Sequence, residues 1–126
     1  MRVALLAELL LGLATAGAAA APATAENFLE RAERLLGKGP LALFDADYKR
    51  LQQEGTVAGD SIRREREAAE RAHRPTLYCS PKPRADLGNM EFIRGLRAFP
   101  AAQRQHLSLR EAMLLVLQRK YPCPRH

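Results

Sequence analysis

The chain has 126 residues, enough for one domain, and its formal net charge is +6. Charged residues make up 27% and hydrophobic residues 47% of the sequence, as expected of a folded soluble protein. Aromatic residues are only 6%, with no tryptophan, which argues against nucleic-acid binding by base stacking.

The N-terminus has the pattern of a secretory signal peptide, predicted to span residues 1–25. One positive charge at Arg2 precedes an apolar segment over residues 3–13, and a run of small residues follows. Ala23-Thr24-Ala25 fits the cleavage pattern, so the mature domain is predicted as residues 26–126. The apolar segment is shorter than the roughly 20 residues that a membrane span needs. We therefore expect a periplasmic protein with no stable membrane span after cleavage.

Two helical patterns open the mature domain. The first begins at Asn27, which stands at capping-box spacing from Glu30, and ends at Gly37. The second begins near Pro40 and stops at Gly55. Its apolar residues are predicted to share one face: Leu41, Phe44, Tyr48 and Leu51.

An arginine-rich helix is predicted over residues 57–73. Its charges form four pairs at i,i+4 spacing, which favours an exposed, salt-bridged face. The pairs are Arg63/Glu67, Arg66/Glu70, Glu67/Arg71 and Glu70/Arg74. A surface that faces an anion or a protein partner is the alternative. The glutamates dilute the positive charge too much for a typical nucleic-acid helix, so no nucleic-acid partner is expected.

The prolines of residues 74–85 predict an extended connector. A helix then follows Asn89, with Met90, Ile93, Leu96 and Ala98 predicted to face inward. The last helix is predicted over 109–120, after a capping box of Ser108 and Glu111. It is the most apolar part of the mature chain, so we expect it at the centre of the fold or at a dimer interface. The predicted fold class is all-α, a small bundle of about four main helices with one disulfide.

Cys79 and Cys123 are the only cysteines, and they lie 44 positions apart. In an exported protein a disulfide is the default state of such a pair. Closing a loop of this length stabilises a domain by about 4 kcal/mol in the chain-entropy model. A redox-active thiol would need a C-x-x-C motif or a neighbouring base, and neither pattern is present.

No catalytic residue, metal site or cofactor is predicted, and the protein is not expected to be an enzyme. His73, His106 and His126 are scattered and lack the spacing of metal ligands. Asp45 and Asp47 stand at i,i+2 and point to different helix faces, which argues against a paired-carboxylate site.

Three short motifs follow one another in the second half of the chain. They are Cys79-Ser80-Pro81 after a helix, Gly95-Leu96 on the next helix, and an apolar helix that ends in Pro122-Cys123. In this order they resemble the Rap/Tai family, small periplasmic immunity proteins for type VI secretion amidase effectors. The resemblance covers roughly residues 56–123. It implies an all-helical homodimer that inserts a loop into the active-site cleft of a peptidoglycan amidase and blocks it without doing chemistry.

The loop ahead of the fourth helix is the segment that we expect to reach the amidase. It is polar and stiffened by proline, so docking costs less conformational entropy than for a flexible loop. The expected partner-binding residues are Pro81, Lys82, Arg84, Asp86 and Asn89, with Lys82 and Arg84 pairing with acidic groups at the cleft rim. Two alternatives stay open. The loop is a plain surface connector, or the protein is a basic periplasmic module that associates with the envelope and has no toxin partner.

Overall fold

The computed structural model describes residues 24–81 and 85–125, and these residues form helices with no β-strand among them. The elements are α1 (Ala25–Gly37), a 3₁₀ segment (Gly39–Phe44), α2 (Ala46–Arg71), α3 (Asn89–Arg97), α4 (Ala101–Arg104) and α5 (Leu109–Lys120). The predicted all-α fold with four main helices and one disulfide is confirmed. Most of the predicted signal peptide, residues 1–23, lies outside the described residues. None of the described helices has the length and apolarity that a membrane span requires.

The first helix begins at Ala25 and not at Asn27, so the predicted Asn27 cap is wrong. Thr24 is the N-cap, and its hydroxyl accepts a hydrogen bond from the backbone N–H of Asn27 at 3.1 Å. Ala25 is fully buried, and its N–H donates to the carbonyl of Leu107 at 2.9 Å. Thr24 and Ala25 are therefore structural parts of the domain, although the predicted cleavage after Ala25 would remove both.

The second helix is continuous over 26 residues, so the predicted break at Gly55 is wrong. Gly55 and Gly59 lie in its interior. The helix begins after Asp45, whose carboxylate accepts a hydrogen bond from the N–H of Asp47 at 2.8 Å. This cap separates α2 from the 3₁₀ segment before it.

The 3₁₀ segment contributes less to the core than its apolar sequence predicts, with only Ala42 packed against it among its described apolar side chains. Leu41 is 69% exposed and Phe44 is 88% exposed, whereas Leu51 is buried. The helix cap at Asp45 changes the direction of the chain. The side chains of Leu41 and Phe44 therefore do not lie on the face that carries Leu51.

The last helix lies at the centre of the fold, in contact with α1, α2 and α3. Its predicted bounds and the capping box of Ser108 and Glu111 are confirmed. One face is buried throughout, and its members are Leu109, Ala112, Met113, Val116 and Leu117. The most apolar stretch of residues 26–126 thus forms the main wall of the core.

The third helix packs on α5 through Gly95. A Cβ at Gly95 would stand 2.8 Å and 2.9 Å from the two methyl carbons of Val116, closer than side chains normally approach. The inward residues of α3 are Phe92, Ile93 and Leu96. Met90, predicted to face inward, is 44% exposed, because the buried face of α3 begins at Phe92. The ring of Phe92 lies 5.7 Å from that of Phe28, between centroids.

Candidate binding site

The disulfide joins the end of the connector to the tail that follows α5. Cys79 and Cys123 are bonded, with their Cα atoms 4.8 Å apart. The N–H of Cys79 donates to the carbonyl of Tyr121 at 2.9 Å. One turn earlier, the side-chain amide of Gln118 donates to the carbonyl of Leu77 at 3.1 Å. The connector is therefore fixed to the C-terminal end of α5 by main-chain contacts as well as by the covalent bond.

The loop before α3 is held by the same end of α5. The hydroxyl of Tyr121 donates to the carbonyl of Asp86 at 3.1 Å and accepts from the N–H of Asp86 at 3.2 Å. Lys120 donates through Nζ to the same carbonyl at 2.6 Å and to Oε1 of Glu91 at 2.6 Å. The ammonium of Lys120 lowers the pKa of Glu91, and the carboxylate raises the pKa of Lys120. The main chain of Asp86 is thus held at both its N–H and its carbonyl, while Asp86 itself stays exposed.

The five predicted partner-binding residues do not all share one place in the structure. Pro81 is exposed at the end of the connector. Asp86 and Asn89 are exposed and line the rim of a cleft. Lys82 and Arg84 lie outside the described residues. The structure therefore brings two of the five together, at a cleft that the sequence did not predict.

This cleft encloses about 1310 Å³ between α1, the 3₁₀ segment, α2 and α3, with α5 behind it. Its volume exceeds the roughly 300–1,000 Å³ of a usual small-molecule pocket. Apolar side chains from four helices line it, among them Phe28, Leu35, Leu51, Phe92 and Met113. The cleft is large enough to hold an extended apolar ligand.

One face of α2 forms a long wall of the cleft. Its lining residues recur at helical spacing: Tyr48, Gln52, Gly55, Gly59, Arg63 and Arg66. A side chain added at Gly55 would meet no atom within 4 Å, so glycine at this position leaves the wall open. Each interior glycine costs a helix about 1 kcal/mol relative to alanine. The sequence contains this helical spacing, but the predicted helix end at Gly55 divides the lining residues between two helices.

The C-terminal end of this wall carries a buried arginine. Arg66 is only 9% exposed, so its predicted place on a solvated face is wrong. One of its terminal nitrogens, Nη1, donates to the hydroxyl of Ser80, and its guanidinium lies 5.7 Å from the ring centroid of Tyr78. Its Nε is buried without a hydrogen-bond partner, and the nearest oxygen of Glu70 is 3.7 Å away.

The environment of Arg66 is set by the connector. Burial raises the pKa of Tyr78, while the positive charge of Arg66 acts in the opposite direction.

Of the four predicted pairs on this helix, Arg63/Glu67 is present at 4.0 Å and Arg66/Glu70 at 3.7 Å. Arg63 also pairs with Asp60 at 3.3 Å. The helix is therefore a salt-bridged surface on one side and a cleft wall on the other.

An ion-pair network fixes α1 to α2 beside the cleft. Arg31 pairs through Nη2 with Asp47 at 2.6 Å and with Glu54 at 2.7 Å. Arg34 adds a second contact to Asp47 at 2.8 Å. The hydrogen bond from Arg31 lowers the pKa of Asp47. Asp45 is therefore a helix cap, and Asp47 is an ion-pair partner of α1.

Within residues 24–81 and 85–125, no three His, Cys, Asp or Glu side chains are grouped as metal ligands would be. His73 and His106 are both exposed and lie apart from the cleft lining, and His126 is outside the described residues.

Comparison with family models, with curated proteins and with solved structures found no match.

Proposed function

We propose that this protein is an exported binding protein of the Rap/Tai immunity type, with no catalytic activity of its own. It binds a peptidoglycan amidase effector and occludes the amidase active site with the segment Pro81–Asn89. The observation that carries the proposal is the fixation of Asp86 by Tyr121 and Lys120, beside the disulfide. A loop whose main chain is already ordered loses less conformational entropy when it enters a cleft.

The chemistry of the segment supports a protein partner. Pro81, Asp86 and Asn89 are exposed. Lys82 and Arg84 add positive charge in the same segment. Charges at the rim of an interface act mainly on the rate and specificity of association. We therefore assign Lys82 and Arg84 to steering against an acidic amidase rim, and the fixed loop to occlusion.

Self-association is part of the proposal. Three apolar side chains of the 3₁₀ segment, Leu41, Leu43 and Phe44, are between 65% and 88% exposed. Clustered exposed apolar groups are common where a protein meets another protein. They supply a contact surface for a second copy that is separate from the segment Pro81–Asn89.

Co-expression tests the proposal in cells. The full chain is produced with periplasm-directed amidase effectors, including any encoded beside it, and survival is measured. The expected result is protection by the natural chain and weaker protection by the double variant Lys82→Glu/Arg84→Glu. The matched control, Lys49→Glu/Arg50→Glu, changes the net charge equally on an exposed part of α2 and should protect fully.

Two results would count against the proposal. The first is cell death with every amidase, despite normal levels of the exported protein. The second is salt-sensitive retention on peptidoglycan without any amidase complex, which would favour an envelope-binding module because salt screens exposed charge.

A further inference from the structure

We propose that the cleft binds a long-chain fatty acid, with the acyl chain along the glycine-bearing face of α2 and the carboxylate at Arg66. This inference does not depend on the amidase function. Among the described residues of the segment proposed to enter the amidase, Ala85, Asp86, Leu87 and Asn89 line the cleft rim, whereas α2 forms the wall. The two sites can therefore be tested separately.

The wall of α2 has the shape that an extended acyl chain needs. From Tyr48 to Arg66 the helix covers about 27 Å, at 1.5 Å per residue. Between these ends, Gly55 and Gly59 remove the side chains that would otherwise fill the space. A Cβ at Gly55 would meet no atom within 4 Å, and one at Gly59 would only touch Met113, at 3.7 Å. The two glycines thus leave a furrow along the helix.

The facing surfaces are apolar. Phe28, Leu35, Phe92, Met113 and Leu117 line the cleft opposite or behind this wall. An acyl chain has no hydrogen-bonding groups, so it loses nothing when such a surface replaces water. A peptide in extended form would bring N–H and C=O groups that an apolar wall leaves unsatisfied, at a free-energy cost. The lining therefore favours a lipid tail over a peptide.

The end of the wall supplies the partner for the headgroup. Arg66 is nine-tenths buried and lines the cleft, yet its Nε has no hydrogen-bond partner. A buried polar group without a partner is uncommon and costly in folded proteins. Nη1 donates to Ser80, and Glu70 faces Nε at 3.7 Å, too far for a hydrogen bond, so the Nε edge of the guanidinium makes no hydrogen bond. A carboxylate fits this edge, since guanidinium and carboxylate pair through two parallel hydrogen bonds.

The charge at this end of the cleft is positive. Arg63 and Arg66 both line it, whereas their acidic partners Asp60, Glu67 and Glu70 do not. Glu70 is 46% exposed at its side chain and stands 3.7 Å from Nε, beyond hydrogen-bond length. Among the described residues that line the cleft, Asp86 is the one carboxylate, and it lies on the loop at the rim. A ligand carboxylate therefore meets two cations at the α2 end.

Fluorescence titration tests the proposal with the disulfide-bonded protein. The probe is cis-parinaric acid, followed by competition with oleate or with methyl oleate below their aggregation concentrations. We expect saturable binding at one site per chain and displacement by oleate. Methyl oleate should compete at least about tenfold more weakly, because the ester cannot form the charge-assisted pair with Arg66.

Three variants locate the site. Gly55→Leu fills the furrow and should weaken oleate binding by about tenfold or more. The control Gln53→Leu adds the same side chain to an exposed position outside the cleft and should bind like the natural chain. Arg66→Met keeps the apolar stem and should abolish the preference for oleate over methyl oleate while the ester still binds. Thermal unfolding checks that each variant is folded.

The proposal is overturned by any of three results: no saturable binding by the natural chain, equal affinity for acid and ester, or undiminished binding by a folded Gly55→Leu variant. If Arg66→Met does not fold, the ratio of the affinities of the natural chain for oleate and methyl oleate still tests whether a cation binds the carboxylate. A natural chain that protects against an amidase but binds no fatty acid would overturn this inference and leave the proposed function intact.

Discussion

The hydroxyl of Tyr121 makes two hydrogen bonds to the main chain of Asp86, donating to its carbonyl at 3.1 Å and accepting from its N–H at 3.2 Å. One side chain at the end of α5 thereby fixes both polar groups of a loop residue 35 positions earlier in the sequence. Asp86, which belongs to the segment that we propose for amidase binding, is held by the same tail that carries the disulfide.

Removing this hydroxyl should loosen the loop and leave the core intact. Tyr121→Phe is expected to lower the free energy of unfolding by about 1 kcal/mol, because it removes two hydrogen bonds that are both exposed and each therefore contributes near the low end of about 0.5–1.5 kcal/mol. Amide hydrogen exchange at Asp86 should become faster. The control is Tyr48→Phe, because that hydroxyl bonds only the exposed amide of Gln52, at 3.1 Å. An unchanged exchange rate at Asp86 would show that Tyr121 does not order the loop.

The disulfide should contribute measurably to stability. Replacing Cys79 and Cys123 together by serine is expected to lower the free energy of unfolding by about 2–4 kcal/mol, the usual range for a bridge that closes a long loop. Urea unfolding of the natural chain, with and without reductant, gives the same comparison without mutation. Alkylation of both cysteines in periplasmic protein, before any reduction, would contradict the bridge.

Two glycines should respond to alanine in opposite ways. Gly95→Ala places a methyl group against Val116 and should destabilise by about 1–3 kcal/mol, as overpacking does. Gly55→Ala meets no atom within 4 Å and should stabilise by up to about 1 kcal/mol, because alanine favours helix. A urea midpoint that does not fall for Gly95→Ala would contradict the packing of α3 on α5, and a midpoint that falls for Gly55→Ala would contradict the open space at Gly55.

Acid should weaken the contact between α1 and α2. Hydrogen bonding from Arg31 lowers the pKa of Asp47 in the folded state. The stabilisation is therefore fully present above the unfolded pKa of about 3.9 and is lost as the pH falls through the lower folded pKa. Asp47→Asn should cost about 1–3 kcal/mol at neutral pH and less below pH 4 or so, measured by urea unfolding at each pH. A cost that stays constant down to about pH 2 would contradict this role of the Asp47 charge.

The fold also predicts where a chain with a cleaved signal peptide would begin. Thr24 caps α1 and Ala25 is fully buried, so the folded protein should retain both residues. Under the proposed export we expect the cleaved chain to begin at or before Thr24, and intact-mass analysis of protein recovered from the periplasm tests this. A chain that begins at Glu26 should be less stable by about 1 kcal/mol or more, as for other lost helix caps. A natural N-terminus at Glu26 would contradict the expectation.

The features that depend on neighbouring residues could be predicted from the sequence. The last helix is one example, since Ser108 and Glu111 cap its start and Pro122 follows its end. The cysteine pair could also be predicted, although its members lie 44 positions apart, because two cysteines permit one pairing. Other features that depend on distant residues could not. Gly55 resembles a helix end locally, but packing of α2 on α5 exceeds the cost of about 1 kcal/mol that an interior glycine brings.

The candidate cleft escaped prediction for the same reason. Arg66 belongs to a run of alternating charges that is typical of a solvated helix. It is buried beside Tyr78 and Ser80, which flank the disulfide-bonded Cys79 on the connector and are distant from Arg66 in the sequence. The sequence predicted Asp86 and Asn89, at the rim of the cleft, as partner-binding residues. It did not predict the wall of α2 that contains Gly55 and Gly59.

The most direct test of the central claim is amidase inhibition by the purified, disulfide-bonded protein. Hydrolysis of peptidoglycan is measured with increasing amounts of the natural chain and of Lys82→Glu/Arg84→Glu, for effectors that include any encoded beside it. The account predicts that hydrolysis stops at about one chain per amidase for a tight complex, and that the double variant inhibits more weakly. Full hydrolysis by every amidase at a large excess of folded protein, with no complex in size-exclusion chromatography, would contradict it.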